Sequence, residues 1–97
     1  MAIRSFGDKT TADFFLTGKV RKTAKWKSIK RIARRKLDML HYAEQLCDLM
    51  SPPSNRLEKL KGGLKTFYSI RINDQWRIIF RWTDLGPDEV NIVDYHK

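Results

Sequence analysis

The sequence predicts an α+β fold with helices on one face of an antiparallel sheet, and three observations carry that reading. Apolar residues recur at helical spacing through the middle of the chain, the period changes to two after Pro53, and turn residues cut the second half into short runs. The 97 residues suffice for one domain and not for two, so residues 1–97 are read as a single unit.

The first element is Ala2-Ile3-Arg4-Ser5-Phe6, whose apolar–polar alternation predicts a short N-terminal strand ended by Gly7 and Asp8. Thr10 or Thr11 is placed to cap a short helix running through Leu16, with Phe14 and Phe15 inward and Gly18 as its stop. Ile29, Ile32, Ala33, Leu37, Leu40 and Ala43 form one apolar stripe and predict a longer helix over 28–46. Ser51-Pro52-Pro53 forbids its continuation, because proline lacks a donor and pushes the residue before it out of helical geometry. Phe67 to Ile72, Trp76 to Trp82 and Val90 to Tyr95 then read as three strands of a meander, separated by Asn73-Asp74 and by Leu85-Gly86-Pro87-Asp88.

Composition narrows the partners. Twenty Lys and Arg stand against eleven Asp and Glu, a formal charge of +9, which implies a polyanion: nucleic acid, the ribosome, an anionic membrane or an acidic protein. No apolar stretch approaches bilayer length and the N-terminus has no secretory h-region, so neither spanning nor secretion is expected. Cys47 is the single cysteine, which excludes an internal disulfide, offers no metal-ligand spacing and fits a reducing cytoplasm. No cofactor or metal is expected.

Three features suggest chemistry. The first is a basic tract over 19–36 with ten of the twenty cations (among them Lys30, Arg31, Arg34, Arg35 and Lys36) and no acid. Like charges at i, i+3 and i+4 destabilise the helix that carries them, so a solvated face is the weaker reading and docking on structured RNA the stronger. Trp26 is the tract's one aromatic, too little for a row of base-stacking platforms.

The second is a hairpin register. A two-residue loop at Asn73-Asp74 would turn Arg71 onto the face of Trp76 and Ile78. An odd loop, Asn73-Asp74-Gln75, pairs Ile72 with Trp76 and keeps the apolar set together. The odd loop sets Arg71 opposite Arg77, with Arg81 on the same side. That arrangement costs stability unless both arginines splay into water or together clamp an anion.

The third is the C-terminus, where alternation puts Asp94 and His96 on one face and Tyr95 on the other. A carboxylate beside an imidazole orients the ring and raises its pKa, suiting it to proton transfer, although chain ends are also commonly polar and frayed. His41, beside the apolar stripe, is read as structural.

From Asn55 onward the sequence resembles the HigB family within the RelE-like toxins. The carrying residues are Arg56-Leu57-Glu58-Lys59-Leu60-Lys61-Gly62, Tyr68 through Ile78, and Val93-Asp94-Tyr95-His96, with Ile3-Arg4-Ser5-Phe6 and the helix before Leu49 also fitting. The resemblance implies a RelE-like fold, an N-terminal strand and two helices packed on a twisted antiparallel sheet. It implies metal-independent cleavage of messenger RNA on the translating ribosome. It also implies a HigA-like helix-turn-helix antitoxin, with operator DNA contacted only through that antitoxin. Carried over residue by residue, the active-site candidates are Lys61, Arg77, Asp94 and His96, with Tyr95 and Arg71 secondary. Three residues before Lys61 the family's best-known pattern has histidine where this chain has Glu58, which alters the division of acid and base roles.

Cleavage without metal needs removal of the 2′-hydroxyl proton, stabilisation of the pentacoordinate phosphate and protonation of the leaving 5′-oxygen. Arg77 and Lys61 suit the second task, His96 oriented by Asp94 one proton transfer, and Glu58 the other. Arg71, Tyr95 and Arg81 are expected to hold substrate. The alternative class is a non-catalytic basic RNA-binding or ribosome-associated module, which would not need the arginine hairpin, Lys61 and Asp94/His96 together. A helix-turn-helix regulator fits poorly, because Pro52-Pro53 leaves no second helix at the right distance.

Overall fold

The structure, a computed structural model, describes residues 2–61 and 66–95. Helix α1 (Lys9–Thr17) starts at Asp8, an extended residue whose carboxylate accepts from the Thr11 N–H at 3.3 Å, so Asp8 rather than Thr10 or Thr11 is the cap. Thr11 serves elsewhere: it is buried, and its hydroxyl accepts from the Ile92 N–H at 3.3 Å, tying α1 to the sheet. Gly18 ends the helix with φ 78° and donates to the Phe14 carbonyl, the left-handed stop that glycine adopts without strain. Phe14 is buried edge-on against Trp26, which makes Trp26 part of the core.

Helix α2 (Lys30–Tyr42) follows a single 3-10 turn at Lys27–Ile29. Its start has neither a side-chain cap nor an acidic residue in the first turn, and cations there oppose the helix dipole. Packing must therefore hold it. Ala33, Leu37 and Leu40 are wholly buried, each Leu contributing about 1.5–3 kcal/mol, while Arg34 pairs with Asp38 one turn on. The expected span to residue 46 is not reached. Ala43 turns extended, and the Glu44 and Gln45 N–H groups donate to the Asp48 carboxylate at 3.0 Å, starting a separate 3-10 segment at Leu46–Met50.

The sheet is antiparallel in the order β1-β2-β3-β4, formed by Glu58–Lys59, Phe67–Arg71, Trp76–Thr83 and Gly86–Asp94. Three of these strands match the expected runs, with β4 starting earlier because Thr83 and Gly86 close the preceding turn. Strand β1 has no signal in the sequence, being two exposed residues held against Ser69 and Tyr68.

The expected N-terminal strand is instead an extended segment with one parallel bridge, Phe6 to Val90. It meets β4 at a bulge, where the register slips between Ile79 and Arg81 and Glu89 has φ 51°. A regular ladder cannot run through that irregularity. The segment bonds around it through Arg4 N–H to Pro87, Val90 N–H to Ser5 and Gly7 N–H to Val90. A Cβ at Gly7 would lie 3.2 Å from both Asn91 Cβ and the Glu89 oxygen, so the approach suits glycine. His41 Nδ1 accepts from the Ile3 N–H at 3.2 Å and its ring packs on Phe15, the structural role expected of it. No helix among the described residues is long and apolar enough to cross a membrane.

Candidate active site

The β2–β3 hairpin sets the site. Asn73 Oδ1 accepts from the N–H groups of Gln75 and Trp76 at 2.9 and 2.8 Å, and the Ile72 N–H donates to Trp76, closing the odd loop. The register is therefore Ile70 opposite Ile78 and Arg71 opposite Arg77, with the isoleucines in the core. The paired arginines do not splay into water. Arg71 takes the Asp74 carboxylate and Arg77 the Glu58 carboxylate, which relieves the cross-strand repulsion.

Arg77 is the more constrained of the two, at 6% exposure. Its Nη1 donates to Glu58, its Nη2 donates to the Arg56 carbonyl at 2.5 Å, and its guanidinium lies 5.1 Å over the Tyr95 ring. Its Nε is buried and, among the described residues, has no hydrogen-bond partner. Arg56 reaches this position in the left-handed region, φ 45°, at the end of the 3-10 turn Pro53–Asn55.

These groups line a cleft of about 430 Å³ formed by Arg56, Glu58, Arg71, Asn73, Asp74, Arg77 and Tyr95. A second cleft, lined by Glu58, Lys59, Leu60, Lys61 and Tyr95, adjoins it through the shared Glu58 and Tyr95. Arg71, Arg77, Tyr95, Glu58 and Lys61 thus come together.

Two sequence candidates do not. Arg81 lies outside both clefts and pairs with Glu89 at 2.9 Å, a hydrogen bond that raises its pKa. Asp94 stands opposite Trp76 in the register, on the other side of the strand from the arginine pair, and accepts from Gln75 Nε2 at 3.1 Å. His96 lies outside the described residues.

In the basic tract Lys30, Arg31, Arg34 and Arg35 are exposed, Arg34 also lying 5.2 Å over the Phe15 ring. Lys36 is the exception. It is 7% exposed and its Nζ donates to Asn55 Oδ1, itself buried. Burial first, then the charges of Arg35 and Arg71, push the Lys36 pKa down. The sequence reading missed Arg56 as a cleft residue and Asn55 as a buried anchor. No periodicity marks either; the one available signal was a polar pair between a proline run and a short edge strand.

Fold and cleft define a class, a small basic α+β protein with a guanidinium-lined pocket on its sheet. The family model for the HigB-like toxin, the RelE-like toxin of the type II toxin–antitoxin system HigB, matches residues 4–96, and the chain belongs to that family. It is 46% identical over 70 residues to Toxin HigB-1 of Vibrio cholerae serotype O1, covering 72% of this chain and 73% of that protein. It is 41% identical over 64 residues to an uncharacterized protein of Haemophilus influenzae, covering 66% of this chain and 60% of that one. Among the described residues, two α-helices and a four-stranded antiparallel sheet are consistent with a RelE-like fold.

Proposed function

We propose that this toxin is a ribonuclease that cuts messenger RNA on the translating ribosome without a metal, in the cytoplasm, under the control of a HigA-like helix-turn-helix antitoxin. The observation that carries the reading is the convergence of Arg77, Arg71, Tyr95, Glu58 and Lys61 on adjoining clefts. Cations fixed by the fold suit the charge that develops on phosphorus, because they need no reorganisation as the reaction proceeds.

In the proposed reaction the 2′-oxygen loses its proton and attacks phosphorus. The bond to the 5′-oxygen breaks and that oxygen takes up a proton, leaving a 2′,3′-cyclic phosphate or its 3′-phosphate hydrolysis product. Arg77 and Lys61 stabilise the pentacoordinate phosphate, and Arg71 and Tyr95 hold the substrate. His96 carries one proton transfer and Glu58 the other, while Asp94, facing away from the arginine pair, secures the strand end that precedes His96 through its bond from Gln75. Arg81, outside the clefts, is left for flanking phosphates. The exposed Lys30, Arg31, Arg34 and Arg35 dock on ribosomal RNA.

The test is cleavage of a defined messenger on purified, programmed ribosomes, with and without the antitoxin. Cuts within the open reading frame that require the ribosome and vanish with antitoxin support the reading. Tight ribosome binding with an intact messenger would favour a non-catalytic ribosome-associated module.

A further inference from the structure

Glu58 holds an unusual post. Its carboxylate takes the Nη1 of Arg77, yet the two partners differ sharply in surroundings, the Arg77 side chain at 8% exposure and that of Glu58 at 54%. The guanidinium is fixed from behind by the Arg56 carbonyl and from its face by Tyr95. The carboxylate sits on a two-residue strand at the sheet edge, where a side chain swings at little cost. What meets Arg77 is thus a singly charged oxygen anion that solvent can reach.

A phosphodiester presents the same chemistry to a guanidinium: one negative charge shared by two oxygens. The rest of the cleft fits that ligand better than it fits a carboxylate alone. Arg56 lines it and, among the described residues, makes no ion pair, which leaves its cation for an incoming anion. Among the described residues Arg71 pairs with Asp74 alone, whose side chain is 99% exposed. Ion pairs with such exposed partners contribute little net stability, so exchanging one anion for another is nearly balanced.

We propose that Glu58 is a displaceable occupant of a phosphate site: in the free protein it holds Arg77, and it yields the guanidinium to an RNA phosphodiester, with Arg56 and Arg71 completing the site. The inference rests on reading the cleft as an RNA site. Displaced, the carboxylate remains on β1 beside Tyr95 and Lys61, where the two clefts meet. The unliganded toxin thereby keeps its anion site occupied and weak, and Arg56 becomes a substrate-binding residue.

The experiment measures binding of a fluorescent 2′-O-methyl tetranucleotide, which has no attacking hydroxyl, to the full chain by anisotropy. Glu58→Ala should bind about fivefold tighter than wild type, the upper end of what an ion pair with so exposed a partner is worth when it no longer competes. Glu44→Gln, an exposed carboxylate elsewhere that changes net charge equally, should gain less than about twofold because solvent screens it. Adding Arg77→Met to Glu58→Ala should erase the gain. A Glu58→Ala protein that binds no tighter than Glu44→Gln overturns the proposal, as does a gain that survives loss of Arg77. Melting curves accompany each variant, and Glu58→Gln, which keeps the side-chain size, repeats the comparison if the alanine variant unfolds. The readout involves no cleavage, so tighter binding by Glu58→Ala alongside a wild-type protein that never cuts messenger would sink the ribonuclease reading and leave the displacement standing.

Discussion

Replacing Arg77 by methionine separates what this arginine does for the fold from what it does for the reaction. Its pair with Glu58, half exposed on the acidic side, is worth about 0.2–1 kcal/mol. Its bond to the Arg56 carbonyl, donated by a charged group, is worth about 1.5–3 kcal/mol. Against these stands the buried Nε, without a partner among the described residues, whose removal returns about 1–3 kcal/mol. A net loss of about 1 kcal/mol follows, a fall in Tm of roughly 4–8 °C for a domain of this size. The catalytic loss is larger, about 10²–10³ in rate, as for removal of one preorganised group facing developing charge. Single-turnover cleavage on programmed ribosomes, run well below the variant's melting temperature, reads the second number while the melt reads the first. A folded Arg77→Met protein that cuts within about threefold of wild type would refute the transition-state role.

Other perturbations sort the remaining residues. Deleting His96 and Lys97, or His96→Gln, should lower cleavage by about 10²–10⁴ and spare the melt; near wild-type cleavage would pass the proton transfer to Glu58, Lys61 or Tyr95. Asp94→Asn should be milder, since Asp94 faces away from the clefts and the amide keeps the shape and can still accept from Gln75. Lys30, Arg31, Arg34 and Arg35 changed together to glutamine should weaken ribosome binding and flatten its salt dependence; unchanged affinity at every salt concentration would remove the docking role. Lys36 has a pKa below its ordinary 10.5, so the unfolded chain binds more protons than the folded one between the folded value and 10.5, and stability rises with pH through that window. Lys36→Met should lose that rise, and parallel stability–pH curves for the two proteins would exclude it.

The parts of the fold legible in the sequence are those where apolar spacing constrains geometry. The isoleucines of the hairpin admit one register, and that register by itself places Arg71 against Arg77. The core of α2 is equally plain. What the sequence hid depends on side-chain to backbone bonds with no period. Asp48 ends the long helix early by taking the Glu44 and Gln45 N–H groups. The β4 bulge reduces the expected first strand to a single bridge. Two residues of β1, with no alternation to announce them, bring Glu58 onto Arg77. Charge alone also misleads at Lys36, which sits in a run of exposed cations yet turns inward to Asn55. The reason is position on the helix: Lys36 adjoins Leu37 and lies three residues beyond Ala33, on the buried stripe.

Attack by the 2′-hydroxyl assisted by side chains alone leaves its signature in the ends of the cut messenger. Wild-type protein, ribosomes and messenger are incubated with chelator at the lowest magnesium the ribosomes tolerate, and the fragments are mapped by their termini. The expected ends are 2′,3′-cyclic phosphate or 3′-phosphate on one fragment and a 5′-hydroxyl on the other, with no cut where the nucleotide at the scissile bond is 2′-deoxy. Fragments bearing 3′-hydroxyl and 5′-phosphate ends would contradict it, since they require attack by water rather than by the neighbouring hydroxyl.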